Sequence, residues 1–564
     1  MATLTDKFHA LRSDQTDPRT RRYLTPKRIV LTKGEVHNAK SLLTEKDNQI
    51  SLNEPVVCTL KNGEDGEHAA VLVDFGIEFS GSSRIMVVSV QGEETNRVDL
   101  LVRTGESVME ALTPLGVKNT TNDHAIRDRV MSVSFYSANE TNETGYRFLY
   151  VELLGKNTSV TFKALQGVFH YRDLDYIGSF ECNDTRVNRI WETAAYTAHL
   201  NMQEYLWDGI KRDRLVWIGD MHTEVMTILA TFGYNDVVPK SLDHVRDETP
   251  IGTWMNGITA YSIWWLLIHY EWYMHFADLK YLNEQHEYMR ALLLKLAEYV
   301  KEDGQEDLPG RRFLDWPNDG DEVAKHAGLQ GLLKLAFDAG EFLMNALGDK
   351  ETAEVCKNTS KRILKYDPDC NGSKQAASLL SLSGISDPIK INEKLLKPNG
   401  AHGYSTFFGY YTLAAKALAG DHDGALADMK EYWGGMLDMG ATTFWEDFDL
   451  DWLKNAAPID EVVPEGKVDI HGDYGAYCYV KFRHSLCHGW ASGPCPWLSR
   501  YVLGVNVTEP GFKKVKITPH LCGLNYVKGS YPTPYGPIEI THYQRDDGTI
   551  KSDITVPGEI EIES

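Results

Sequence analysis

Basic residues are in short supply: 58 Lys and Arg stand against 80 Asp and Glu in 564 residues, a formal charge of −22. That balance argues against a nucleic-acid partner, because phosphate backbones are gripped by clustered Lys and Arg. It also disfavours an acidic polysaccharide and leaves a neutral ligand as the easier fit. Long apolar runs are missing too. The most apolar stretch, Ile263 to Ile268, is followed at once by His269 and Glu271, far short of the roughly 20 apolar residues that a membrane span needs. The eight cysteines are scattered, with no CxxC and no paired His spacing, so neither a disulfide framework nor a metal site follows. The opening MATLTDKFHALRSDQTDPRT lacks the apolar core of a secretory leader. The expectation is a cytoplasmic protein as the sequence stands, or a periplasmic or secreted one if a leader was removed.

What is present is globular composition, with 42% hydrophobic and 24% charged residues, and a length that allows about three or four structural units. Aromatics make up 11% of the chain; they pack cores, and they also stack on the C–H faces of sugar rings.

Three zones follow from the periodicity. Up to about residue 178 the chain alternates apolar and polar residues, as in 69–81, 83–92, 128–138, 146–155 and 159–172, which predicts short antiparallel strands in a β-sandwich. From Asp184, a plausible N-cap, the spacing turns helical. Helices are expected near 184–203, 221–233, 257–277, 279–302, 322–347, 350–365, 404–419, 421–437 and 474–503. With no strands between them, a βαβ plan is excluded, and a closed ring of hairpins, a bundle or a solenoid remains. From about 505 the chain returns to strands punctuated by Pro and Gly. The division is therefore 1–178, 179–504 and 505–564, and the β parts are expected to pack on the helices.

Chemistry concentrates in two loops. Residues 207–224 carry Asp208, Arg212, Asp213, Arg214, Trp217 and Asp220 between two predicted helices. Any one of these is more often a cap, a surface ion pair or core; three carboxylates, two guanidinium groups and an indole on one loop point to a ligand. Residues 438–452 set Glu446 and Asp447 beside Thr442, Thr443, Phe444 and Trp445, a carboxylate against aromatic walls of the kind that lines sugar sites. A third group holds His484, His488 and Trp490. Two carboxylates on separate loops meet the need of glycoside hydrolysis: one protonates the leaving oxygen, the other activates water or attacks the anomeric carbon. Sequence spacing does not say which.

The run Asp208-x-x-x-Arg212-Asp213-Arg214-Leu215-x-Trp217-x-Gly219-Asp220, then Gly440-Ala441-Thr442-Thr443-x-Trp445-Glu446, then Ser485-Leu486-x-His488, resembles the α-L-rhamnosidases of glycoside hydrolase family 78. The likeness covers roughly 180–564. It implies a central (α/α)6 barrel flanked by N-terminal and C-terminal antiparallel β-sandwich domains, release of terminal α-L-rhamnose with inversion, an oligosaccharide or glycoside substrate, and no cofactor. By the same resemblance Asp213 falls at the general acid and Glu446 at the general base. Asp208, Arg212 and Asp220 would hold sugar hydroxyls, with Trp217, Trp316, Trp445 and His488 lining the pocket. Neighbouring carboxylates and partial burial are expected to keep Asp213 protonated and Glu446 ionised.

The sequence departs from the family in two places. The acid position usually carries Glu, and Asp213 is shorter by one C–C bond, roughly 1.5 Å. A long acidic insert separates Glu446 from His488. Two rival readings stay open: a non-catalytic glycan-binding protein on a degenerate scaffold, and a polysaccharide lyase on a helical toroid.

Overall fold

The computed structural model describes residues 16–92 and 96–563. The first fifteen residues, on which the expectation about a leader chiefly rests, lie outside them. Among the described residues no helix is long and apolar enough to cross a membrane.

The N-terminal part is a ten-stranded sheet, antiparallel at every pairing. Its spine is Ala70–Gln91, 22 residues long, which pairs with Thr144–Leu153 on one side and Ser159–Tyr171 on the other. The stretches expected as separate strands, 69–81 and 83–92, thus run on as one. Alternation along it fills two cores. Val71, Val73 and Phe75 join one apolar cluster, while Ala70 and Leu72 face Val108 and Ala111 of the short helix Val108–Leu112.

The helical region begins where the period changes. Asp184 caps Thr185–Asn201 by accepting from Arg186 N and Val187 N. Met221–Thr231 is buried at every residue, and Thr259–Phe276 over most of its length. A helix apolar all round must be enclosed, whereas Leu279–Glu298 and Lys350–Ile363 bury one face only. Two helices of nine or more residues were not expected from the sequence. Val237–Glu248 holds Pro239 in its first turn, where a missing N–H leaves no intrahelical bond unmade. Lys374–Leu382 has only nine residues, too few for its period to stand out.

The helix expected over 474–503 is corrected. That segment holds single turns at Lys481–Arg483 and Gly489–Ser492, then Pro494–Trp497 running into a wider turn at Leu498–Val502. Gly475 with φ of 104°, Gly489, Gly493, Pro494 and Pro496 prevent a longer one.

At the C-terminal end, Tyr526–Tyr531, Ile538–Gln544 and Ile550–Thr555 form an antiparallel sheet completed by Ser179–Cys182. The strand leaving the N-terminal part therefore pairs some 350 residues downstream. A second sheet departs from the purely antiparallel expectation: Lys514–Ile517 pairs antiparallel with Val505–Glu509 but parallel with Glu561–Glu563. One apolar core runs from the helices into these strands, from Val187 and Trp265 to Val515 and Ile540.

Candidate active site

Backbone hydrogen bonds stitch the three chemistry-bearing segments together. Gly489 N donates to Asp208 O at 2.8 Å, His488 N to Phe444 O at 3.0 Å, and Glu446 N to Ser485 O at 3.0 Å. Side chains separated by up to 280 positions thereby share one cavity of about 110 Å³, lined by Asp208, Arg212, Asp213, Trp217, Asp220, Trp316, Glu446 and His488. Trp445, expected to line it, does not. Its indole is fully buried against Phe448 and near His484, so the tryptophan before Glu446 is a support in the core and not a wall.

Arg212 is the centre of the constellation. It donates to Asp213 Oδ1 at 2.9 Å and to Glu446 Oε1 at 2.5 Å, so one guanidinium spans the two carboxyls. Its Nε donates to Arg483 O at 3.2 Å, and its plane lies 5.2 Å from the Tyr479 ring. The planar fork suits this bridging; a lysine would offer only a point charge. Asp213 and Arg214 both sit in the left-handed region, with φ of 56° and 55°. Such backbone costs about 1–3 kcal/mol per residue and concentrates where a side chain must be aimed. Here it carries the Asp213 carboxyl to the rim, one-fifth exposed, with Trp217 Nε1 donating to Oδ2 at 3.2 Å.

The floor is acidic and buried. Leu215 N donates to Asp208 Oδ1 at 3.0 Å and the Tyr261 hydroxyl to Asp220 Oδ1 at 2.9 Å. Burial pushes Asp208 and Asp220 well above the ordinary carboxylate range; repulsion from Asp213 and Asp220 adds to it at Asp208, and repulsion from Glu446 and Asp213 adds to it at Asp220, where the Tyr261 hydroxyl pulls the other way. Glu446 is also raised by burial, while Arg212 and a 3.1 Å hydrogen bond from Ser485 N pull the other way. His488 Nε2 faces all three carboxyls, at 3.5 Å from Glu446 and 3.8 Å from Asp208 and Asp220. Burial, with Arg212 next, holds its imidazole well below its usual value, so it is neutral at pH 7.

Aromatic walls close the cavity: Trp217, Tyr261, Phe313, Trp316, Tyr479 and Trp490. Trp316 is steadied by Asp315, which accepts from Trp316 N at 2.8 Å and from the Ser405 hydroxyl, and by a stack on Tyr477. Sequence reasoning missed Tyr261, Arg311, Phe313, Cys478 and Tyr479 as lining residues. Tyr261 had one local signal, Gly219: a Cβ there would stand 2.2 Å from the Tyr261 ring. Cys478 and Tyr479 lie just after the long insert that follows Glu446.

The N-terminal sheet reaches this site. Lys211, beside Arg212, donates to Glu106 Oε2 at 3.0 Å and Glu110 Oε1 at 2.9 Å, and to Phe482 O and His484 O at 2.8 Å each. Glu106, Glu110 and His471 lie close enough together to hold a cation; the Lys211 ammonium already supplies one.

Two family models match the chain: the bacterial alpha-L-rhamnosidase 6 hairpin glycosidase domain over residues 175–334, and the bacterial alpha-L-rhamnosidase C-terminal domain over residues 504–563. In these segments the chain is similar to bacterial α-L-rhamnosidases. The alpha-L-rhamnosidase of Alteromonas sp. (strain LOR) is 24% identical over 467 residues, covering 74% of this chain and 48% of its own length. That of Streptomyces avermitilis is 21% identical over 445 residues, covering 73% and 41%. The chain thus spans about half the length, or less, of these relatives. Among solved structures, the family 78 rhamnosidase of Bacillus sp. GL1 superposes with a TM-score of 0.72 at 21% identity, over 90% of this chain and 55% of that one. A Klebsiella oxytoca rhamnosidase with rhamnose bound gives 0.63 at 20% identity, over 86% and 96%. At these identities the structural likeness establishes a multidomain fold of helices and sheets.

Proposed function

We propose that this chain is an inverting glycoside hydrolase that releases terminal α-L-rhamnose, or a similar neutral deoxysugar, from glycans or glycosides. In this reading residues 179–504 form an (α/α)6 barrel between β parts at 1–178 and 505–564. The observation that carries the proposal is Arg212 reaching both Asp213 and Glu446 across an aromatic-walled cavity. Inversion needs two carboxyls about 6.5–9.5 Å apart, with room for water between them; Arg212, touching both, keeps the two groups in one cavity. The rhamnose bound to the Klebsiella oxytoca relative supports the choice of sugar.

Asp213, at the exposed rim, gives its proton to the departing glycosidic oxygen. Glu446, its Oε2 anchored by Ser485 N and its charge balanced by Arg212, takes a proton from water on the opposite face of the ring. Asp208, Asp220 and neutral His488 hold the sugar hydroxyls, and Trp217 and Trp316 supply apolar walls. The left-handed backbone at Asp213 offsets the shorter reach of Asp at this position. A lyase reading, in which Arg212 and Arg214 would neutralise a uronate, is disfavoured because Arg212 is already engaged by two carboxylates and the carboxylate-rich loop opposes an anionic substrate.

The test is hydrolysis of 4-nitrophenyl α-L-rhamnopyranoside followed by proton NMR. The first sugar released is expected as the β-anomer. Asp213→Asn and Glu446→Gln should each lower turnover by about 10³-fold or more on general acid–base grounds. A folded protein that cleaves no rhamnoside, or a variant as active as the parent, overturns the assignment.

A further inference from the structure

The larger cavity of the helical region lies elsewhere. It encloses about 410 Å³, within the span of about 300–1,000 Å³ typical of small-molecule sites. The acidic cavity gathers groups that precede or begin helices: Asp220 before Met221–Thr231, Ile258 before Thr259–Phe276, Trp316 before Glu322–Leu347. The larger one takes Tyr270 and Glu271 from far along Thr259–Phe276 and Phe342 from near the end of Glu322–Leu347. Along Thr259–Phe276 and Glu322–Leu347 the larger cavity thus lies further from the helix starts than the acidic one, while His222, two residues after Asp220, also borders the larger cavity.

Opposite charges face each other in it without pairing. Arg500 forms no ion pair among the described residues; its Nε donates to Asn506 Oδ1 at 3.3 Å, and its guanidinium hydrogen-bonds the Tyr410 hydroxyl. Glu271 has no ion pair either, although its field and that of Arg500 are felt by each other. Burial raises the Glu271 carboxyl, with Arg500 pulling it down. Both residues are only partly buried and line the cavity, so their charges are open to whatever fills it. A purely structural pair would close the gap. Around them stand the rings of Tyr270, Phe342, Tyr410 and Tyr501.

We propose that this cavity is a second binding site, for a neutral saccharide of one or two rings. An anion would meet Glu271, a cation would meet Arg500, and an apolar molecule would leave both unsatisfied. A polyhydroxylated ring satisfies both: its hydroxyls accept from the guanidinium and donate to the carboxyl, while aromatic faces take its C–H surface. This inference does not depend on the hydrolase reading.

The experiment is titration calorimetry with saturation-transfer NMR, using L-rhamnose, D-glucose and cellobiose as probes. It compares the unaltered chain with Glu271→Gln and with Ala414→Trp, whose indole would fill the cavity from a lining position. At least one probe should bind in the millimolar range or tighter. Glu271→Gln should weaken that binding at least tenfold and Ala414→Trp should abolish it, both without changing hydrolysis of the aryl rhamnoside. No binding by any probe, or binding that neither variant alters, overturns the proposal. Should Ala414→Trp fail to fold, Glu271→Gln alone decides it. Absent rhamnoside hydrolysis with binding retained would defeat the hydrolase reading and leave this one standing.

Discussion

The carboxylate of Glu106 accepts the backbone N–H of Leu486 at 2.8 Å across 380 positions of sequence. Its other oxygen accepts from the Ser485 hydroxyl at 3.1 Å, and Ser485 N in turn holds Glu446. A residue just beyond the edge of the N-terminal sheet thus sets both the Lys211–Arg212 segment and the loop under the proposed base. Glu106→Gln keeps the shape but removes the charge that answers Lys211. We expect turnover to fall about 10- to 100-fold with little change in KM, since small misplacements of a catalytic group have effects of that size. Steady-state kinetics beside circular dichroism would check it; a folded variant with unchanged turnover would refute the link.

Arg212 pulls the pKa of Glu446 down against burial. Arg212→Met removes that pull, so protonation of Glu446 should persist to higher pH. The acid limb of the pH profile of kcat/KM is expected to move upward, with turnover at neutral pH reduced by at least two orders of magnitude as for other buried charge-assisted contacts. A limb that stays in place would show that Glu446 does not set it.

The loop 207–220 was legible in the sequence because its groups are neighbours along the chain, and the general β, α, β order because period changes are local signals. Glu106 was not legible: it acts on Leu486, and no spacing rule connects residues 380 positions apart. Trp445 misled for a related reason. An aromatic beside a carboxylate reads as a sugar wall, yet adjacent residues in extended chain point to opposite sides; with Glu446 facing the cavity, Trp445 faces the core. The wall came instead from Tyr479 and Trp490, which the irregular Gly- and Pro-rich path of 474–503 brings round.

Burial raises the carboxyls of Asp447 and Asp315 each to about 7, with repulsion from Asp315 adding to the rise at Asp447. A carboxyl whose folded pKa is raised contributes stability that is present below its unfolded pKa and lost as pH rises through the folded one. These two groups should therefore make the protein less stable between about pH 4 and pH 7 as the pH increases. Asp447→Asn removes one of them. Its melting temperature should match the parent near pH 4 and exceed it at pH 8, the gain bounded by about 1.36 kcal/mol per unit of pKa shift. An equal or lower melting temperature at pH 8 would count against this account.

Glu224 lies one helical turn beyond Asp220, fully buried, with neither carboxyl oxygen hydrogen-bonded among the described residues. Burial, then repulsion by Asp220 and Asp208, raises it well above the usual range, which favours the neutral acid. An amide of the same shape should replace it without penalty, and Glu224→Gln is expected to melt within a few degrees of the parent. Gly489 is the reverse case. A Cβ there would stand 1.3 Å from Glu224 Oε1, and overpacking of this kind typically costs about 1–3 kcal/mol, occasionally more. Gly489 N also carries the hydrogen bond to Asp208 O, so Gly489→Ala should lower both melting temperature and turnover. In the double variant Glu224→Ala with Gly489→Ala, the space vacated by the carboxyl should restore part of the lost melting temperature. If the two effects simply add, the steric contact is not what makes Gly489 necessary.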